Sequence, residues 1–364
     1  MSARSRAIKC IYASTVLHSI LLCQIAEFLP ITTIFELGRV CRTFHDTIRD
    51  HLRNEHKTLE DFYGNDNRNT LYIPLEVYLK RMPKTICCCL ENLHEEYPYG
   101  FTPEVNSFLS RLQMLDISGP LTNAELMLTK PVSLRIVSMH ITDSVFLHKG
   151  FKNLQTLHIN GCTQFTDKAF EYVANAPLLH TLDISGCFQH KITDEGFAHL
   201  GRLQYLHTLH MIACSQETIT DKGLQALKHL QHLDISYCNQ SEITDEAFCN
   251  MSGLKTLSMV ACSQPAISEA AFRYLPNLRT LDMSDCYQEN ISGDAFKYLE
   301  LEELTMDGCN QEEITNESFA ALPNLRRLSI ERCSQLDYEK IKKICTNLPA
   351  LALAGPGRGG KLKN

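Results

Sequence analysis

The chain is 364 residues long, 44% hydrophobic and 21% charged, a balance that excludes a disordered chain and allows a large buried core. Its net charge of −7 argues against a broad nucleic-acid-binding face, which needs a basic surface. No stretch reaches the roughly 20 predominantly apolar residues of a membrane span, so neither nucleic acid nor membrane is expected as a partner.

At the N-terminus, Arg4, Arg6 and Lys9 precede an uncharged run from Cys10 to Ala26. A basic start before an apolar run can mark a secretory signal. Here Ser14, Thr15, His18, Ser19 and Gln24 interrupt the run. Val16, Leu17, Ile20, Leu21, Ile25, Phe28 and Leu29 fall at the spacing of a helix with one buried face, which is the preferred reading. Over residues 17–49 three short helices are predicted. Pro30 ends or restarts one, Thr32 or Thr33 caps the next, and Ile34, Leu37, Val40, Cys41 and Phe44 share one face.

This segment resembles an F-box. Leu22, Ile25, Phe28, Leu29, Ile34, Leu37, Val40, Cys41, Arg42 and Phe44 match that motif without a gap. It departs at the opening, where the family has Leu-Pro and an acidic residue and this chain has Leu17-His18-Ser19, and at Phe44, where Trp is commoner. The resemblance implies an F-box-like helical domain over 13–56 that docks the Skp-type adaptor of a cullin–RING ubiquitin ligase. Leu17, Ile25, Leu29, Pro30, Val40 and Phe44 would form or support the docking face. The alternative is a helical cap covering the end of a repeat array.

Residues 57–108 read as a linker and the N-terminal cap of a solenoid. Asp61 to Thr70 is a polar loop, Pro74 to Met82 a short helix, and 91–108, with Pro98, Gly100 and Pro103, an irregular first turn. Cys87, Cys88 and Cys89, flanked by Ile86 and Leu90, read as a buried strand that starts the solenoid. Acylation or metal binding is the other reading of such a cluster.

From 109 to 352 the chain is one repeat. The frame Leu-x-x-Leu-x-(Ile/Met) begins at Leu112, Leu134, Leu154, Leu179, Leu206, Leu230, Leu254, Leu278, Leu301 and Leu325, with Val137 in the second Leu place of the second unit. The period and strand pattern are those of a leucine-rich repeat. A cysteine follows the strand eight times, from Cys162 to Cys333, with a glutamine two places on, from Gln164 to Gln335. Then comes Ile-Thr-Asp or a close variant, as at Ile192, Ile219 and Ile243, where either polar side chain can cap a helix. Phe170, Phe197, Leu224, Phe248, Phe272, Phe296 and Phe319 follow, positioned to pack convex helices on the strands.

The cysteines are expected to stack as buried small hydrophobes with a weak donor. A disulfide framework suits small secreted domains better, and without Cys-x-x-Cys pairs the thiols spread along an axis rather than around a metal. The glutamines read as an amide ladder satisfying backbone groups, with a ligand-gripping edge as the alternative. The repeat resembles the cysteine-containing leucine-rich repeats of F-box proteins, and its slightly short period also looks like related bacterial repeats. The expected fold is therefore an α/β leucine-rich-repeat solenoid, a horseshoe of about ten strand/helix units, behind a small all-α F-box-like module. A flexible tail is expected over 353–364.

No Gly-x-Ser-x-Gly, His-Glu-x-x-His or Gly-Lys-Thr loop is present, and no nucleophile, base and oxyanion donor converge. An enzyme is not expected, and neither a cofactor nor a metal is implied. The strand positions flanking each central leucine should instead line a concave binding face. His158, Asp183, His210, His232, Asp234, Tyr237, Asp282, Asp285, Glu303 and Asp307 are the candidate target-binding residues. Their acidic lean suggests a target protein with a basic patch. The reading reached is a substrate-recognition subunit of an SCF-type ligase in the cytoplasm or nucleus. The alternatives are a non-ligase repeat protein (an inhibitor, a scaffold, or a pathogen effector acting in host cytoplasm) and a secreted recognition protein with oxidised thiols.

Overall fold

The computed structural model describes residues 149–187 and 191–348 continuously. Before them it describes 107, 110, 113–118, 123–127, 129–137 and 141–147, and the strand backbones of 9–11 and 87–91. The F-box-like residues Leu17, Ile25, Leu29, Pro30, Val40 and Phe44, the loop and helix expected at 61–82, Gln189 and the tail lie outside the described residues. The chain divides into two compact units, Met1–Leu206 and His207–Asn364.

In the first unit, β1 (Lys9–Ile11) pairs antiparallel with β2 (Cys87–Glu91). The start of the run read as helical is therefore extended. From β2 onward the pairing is parallel, through β3 (Met114–Ser118), β4 (Ser133–Val137), β5 (Thr156–His158) and β6 (Thr181–Asp183). The triple cysteine thus does form a strand that opens the parallel sheet. In the second unit β7 (Thr208–His210), β8 (His232–Asp234), β9 (Thr256–Ser258), β10 (Thr280–Asp282), β11 (Glu303–Thr305) and β12 (Arg327–Ser329) pair parallel in chain order.

Register follows the leucines. Leu115, Leu134, Leu157 and Leu182 lie opposite one another and are buried, as are Leu209, Leu233, Leu257, Leu281 and Leu304. One frame shifts. Leu134 is the central leucine of its strand, not the first of the motif, so that unit begins at Pro131, and Val137 is 37% exposed. A slip of three residues is invisible where Leu, Ile and Val alternate, and the pairing of Leu134 with Leu115 and Leu157 fixes it.

The opposite side of each unit carries short helices. The helices α1 (Asn123–Leu126), α2 (Asp167–Val173), α3 (Asp194–Leu200) and α4 (Asp221–Gln225) are α-helical. The four that follow, starting at Asp245, Glu269, Gly293 and Asn316, are 3₁₀, and α5 (Tyr338–Ile344) closes the series. Length alone does not decide between the two, since α1 and α4 span four and five residues and are α-helical. All seven apolar residues expected to pack these helices, from Phe170 to Phe319, are buried. Phe170 and Phe197 meet edge to face at 6.1 Å, and Phe296 and Phe319 pack at a tilt, 5.4 Å apart.

Candidate functional site

Three polar ladders hold the strand face in place. The first is the cysteine ladder. Each thiol donates to the carbonyl of the apolar residue that ends the preceding strand motif: Cys187 to Ile159, Cys262 to Ile235, Cys286 to Met259, Cys309 to Met283 and Cys333 to Met306, at 2.7–3.3 Å. The turn before each cysteine places one residue in the left-handed region: Gly161, Gly186, Ala213, Tyr237, Ala261, Asp285, Gly308 and Arg332, with φ between 50° and 72°. Burial pushes the thiols up, Cys262 and Cys309 to about 12, so they stay protonated donors. Among the described residues these cysteines are free thiols, and no group of three His, Cys, Asp or Glu is arranged to hold a metal.

The second is the glutamine ladder. Gln240, Gln311 and Gln335 donate through Nε2 to the carbonyls of Cys214, Cys286 and Cys309 in the preceding repeat. Gln216, Gln240, Gln264, Gln288 and Gln311 are buried, whereas Gln164, at the start of the series, is exposed.

The third ladder separates the two residues expected to cap the helices. The Thr or Ser caps its own helix, as Thr193 accepts from Glu195 N at 3.1 Å and Thr244 from Glu246 N at 3.2 Å. The Asp that follows serves the next repeat instead. Asp143 takes the backbone and hydroxyl of Thr166, Asp167 those of Thr193, Asp221 those of Thr244, and Asp245 those of Ser268, all at 2.7–2.8 Å.

On this frame the strand positions either side of the central leucine form rows in register. In the first unit His158 lies opposite Asp183. In the second, His210, Asp234, Ser258 and Asp282 follow one another across β7–β10, and His232 and Glu303 start their strands. Tyr237 and Asp285 belong to the left-handed turn column rather than to the strands, and Asp307 follows β11. Tyr237 is 55% exposed.

Many of the acidic members are tied down. His158 Nδ1 lies 3.2 Å from Asp183, which also accepts from Asn160 and from Ser185 N. Burial alone would raise Asp183, but these bonds outweigh it and hold its carboxyl well below the usual range. Asp234 is likewise lowered, burial being outweighed by His210 and Ser236. Asp285 pairs with Arg332 at 3.3 Å, Glu303 with Arg327, and Asp307 accepts from Ser329 and Glu331 N. Burial first, then the charges of Lys255, His207 and His210, lower His232. The face is thus mixed, with its acidic lean partly neutralised from within. Sequence reasoning missed the basic residues Lys228, Lys255 and Arg279, which precede the strands and stand out only when the repeats are aligned column by column.

Family models agree with this picture. An F-box domain matches residues 17–56, a BspA type leucine rich repeat region matches 241–348 in six copies, and a leucine rich repeat matches 229–251. The chain carries an F-box domain ahead of leucine-rich repeats, the make-up of an F-box/LRR protein. No curated protein matches it. Among solved structures it is similar to a TLR13-ssRNA13 complex, with TM-score 0.48, 22% identity, and coverage of 67% of this chain and 36% of that one. It is also similar to the Drosophila Toll–Spatzle complex, with TM-score 0.43, 14% identity, and coverage of 67% of this chain and 40% of that one. The chain therefore spans well under half the length of these structures. The two kinds of matched module, the F-box and the leucine-rich repeat, are both protein-interaction modules.

Proposed function

We propose that the chain is the substrate-recognition subunit of an SCF-type cullin–RING ubiquitin ligase, docking a Skp-type adaptor through residues 17–56 and a target protein through the strand face. The pairing of an F-box with leucine-rich repeats in one chain carries this reading. F-box domains bind Skp-type adaptors, and repeat arrays present extended surfaces to a partner. On this reading the chain does no chemistry. It brings target lysines to the ubiquitin-loading machinery, in the cytoplasm or nucleus. The target contacts would come from Tyr237, exposed on its turn, and from the half-buried acids Asp234 and Asp282 of the strand row. An exposed tyrosine on a rigid turn costs little entropy on binding and anchors well. A pull-down of the full chain with purified Skp-type adaptor tests the first half. A stable complex is expected, and its absence removes the ligase reading.

A further inference from the structure

Apart from the acidic row, the turns that feed β8, β9 and β10 frame a cavity of about 480 Å³. The residue just before each strand is Gln231, Lys255 or Arg279, and the residue two places earlier is His229, Gly253 or Asn277. The place held by Gly253 carries a side chain in the other repeats: Asn153, Leu178, Tyr205, His229, Asn277, Glu300 and Asn324. At Gly253 itself an added Cβ would meet only the Leu230 carbonyl, at 3.8 Å. A missing side chain, not a backbone distortion, therefore opens this cavity.

Lys228, Lys255 and Arg279 bring three cations to the lining, His229 adds an imidazole, and no carboxylate lines it. In a chain of net charge −7 this concentration of one sign is local. Two of the cations are already positioned. Lys255 Nζ donates to Gln231 Oε1 at 2.8 Å, and Arg279 Nη1 donates to the Glu300 carbonyl at 3.0 Å, 3.4 Å from its carboxylate. Both Arg279 contacts use Nη1, which leaves Nη2 and Nε for another acceptor. Lys228 and His229 have no side-chain partner among the described residues. Among the described residues only Arg279 of these three cations has a carboxylate beside it, and a multivalent anion relieves the repulsion that remains.

We propose that this cavity binds a phosphate monoester dianion, with Lys228, Lys255 and Arg279 as its counter-charges. The planar Arg279 fork suits a tetrahedral oxyanion, and the lysines supply point charge. The volume exceeds that of a phosphoryl group, so it admits part of the body to which the phosphate is attached.

Calorimetric titration of the full chain with inorganic phosphate and with a phosphoserine peptide, against chloride at equal ionic strength, tests this. Saturable uptake is expected, with Lys255→Ala weakening it roughly tenfold or more. Gly253→Leu should weaken it comparably although it changes no charge, and Lys222→Ala, an exposed lysine on α4, should leave it unchanged. Thermal melts of each variant establish that it is folded, and Arg279→Ala serves in place of Gly253→Leu should the latter not fold. Tighter uptake of the peptide than of inorganic phosphate identifies a phosphorylated protein segment as the source, and equal uptake identifies a small free phosphate. Absence of phosphate uptake up to about 10 mM, or equal losses in Lys255→Ala and Lys222→Ala, overturns the proposal.

Discussion

Gly308 and Gly161 occupy the same turn position, with φ of +72° and +64°, yet their surroundings differ. A Cβ at Gly161 meets nothing within 4 Å, whereas one at Gly308 runs into Asp285 Oδ1 and lies 3.4 Å from Arg332. Gly161→Ala should therefore cost only the left-handed backbone term, about 1–2 kcal/mol. Gly308→Ala should cost more, because it also forces apart the Asp285–Arg332 pair. Urea unfolding midpoints compare the two, and equal losses would mean that the pair is not held over Gly308. The buried thiols make a second prediction at this scale. Their folded pKa lies above the ordinary value of 9.0, with Cys262 and Cys309 at about 12. Above pH 9 the unfolded chain releases these protons and the folded chain keeps them. The stabilisation is therefore complete below pH 9 and is lost as pH rises towards 12. Each such thiol contributes a slope of about 1.4 kcal/mol per pH unit in that window. Denaturation midpoints measured from pH 8 to 10.5 should fall, and Cys262→Ala should flatten the fall.

At the scale of the repeat, the Thr–Asp pair couples neighbours. Asp221 accepts from both the backbone and the hydroxyl of Thr244 at 2.7 Å, while the same hydroxyl caps the helix at Asp245–Phe248. One hydroxyl thus links a cap within a repeat to a carboxylate of the repeat before it. Asp221→Ala and Thr244→Val should each cost about 1–3 kcal/mol, since each leaves half-buried polar groups unpaired. Because the two act through one contact, the double variant should fall short of the sum by about 0.5 kcal/mol or more. Strict additivity in a double-mutant cycle would break the proposed link. The short period favours this arrangement: helices of four to seven residues cannot supply their own terminal partners, and the Asp of the preceding repeat reaches the capping residue.

Across the whole molecule, the two functions are expected to separate. Phe44→Ala should weaken adaptor binding about thirtyfold, an aromatic anchor commonly being worth 2 kcal/mol or more. It should leave target binding by residues 109–352 unchanged, provided circular dichroism shows the helices intact. Asp234→Lys with Asp282→Lys should do the reverse. Loss of both activities in either variant would sink the two-module reading. Stability should be local as well. Leu233, 2% exposed in the centre of β8, is expected to cost roughly 2–5 kcal/mol when cut to alanine. Hydrogen exchange should accelerate most in β7–β9 and least at β12, since repeats contact mainly their neighbours.

The sequence by itself determined the repeat, its buried leucines, the cysteine column and the helix caps, because each is a local periodicity written once per unit. The tertiary structure decided what crosses between units. A sequence cannot show that the Asp after each Thr serves the following repeat, since the two residues it joins lie 23 or 26 positions apart. Nor can it show that Leu134 is central rather than first, because both frames place apolar residues in apolar slots. It presented Asp285 and Glu303 as part of an acidic lean, yet stacking brings Arg332 and Arg327 onto them. The cationic cavity arises the same way. Lys228, Lys255 and Arg279 are unremarkable surface residues until three turns stack over the gap that Gly253 leaves.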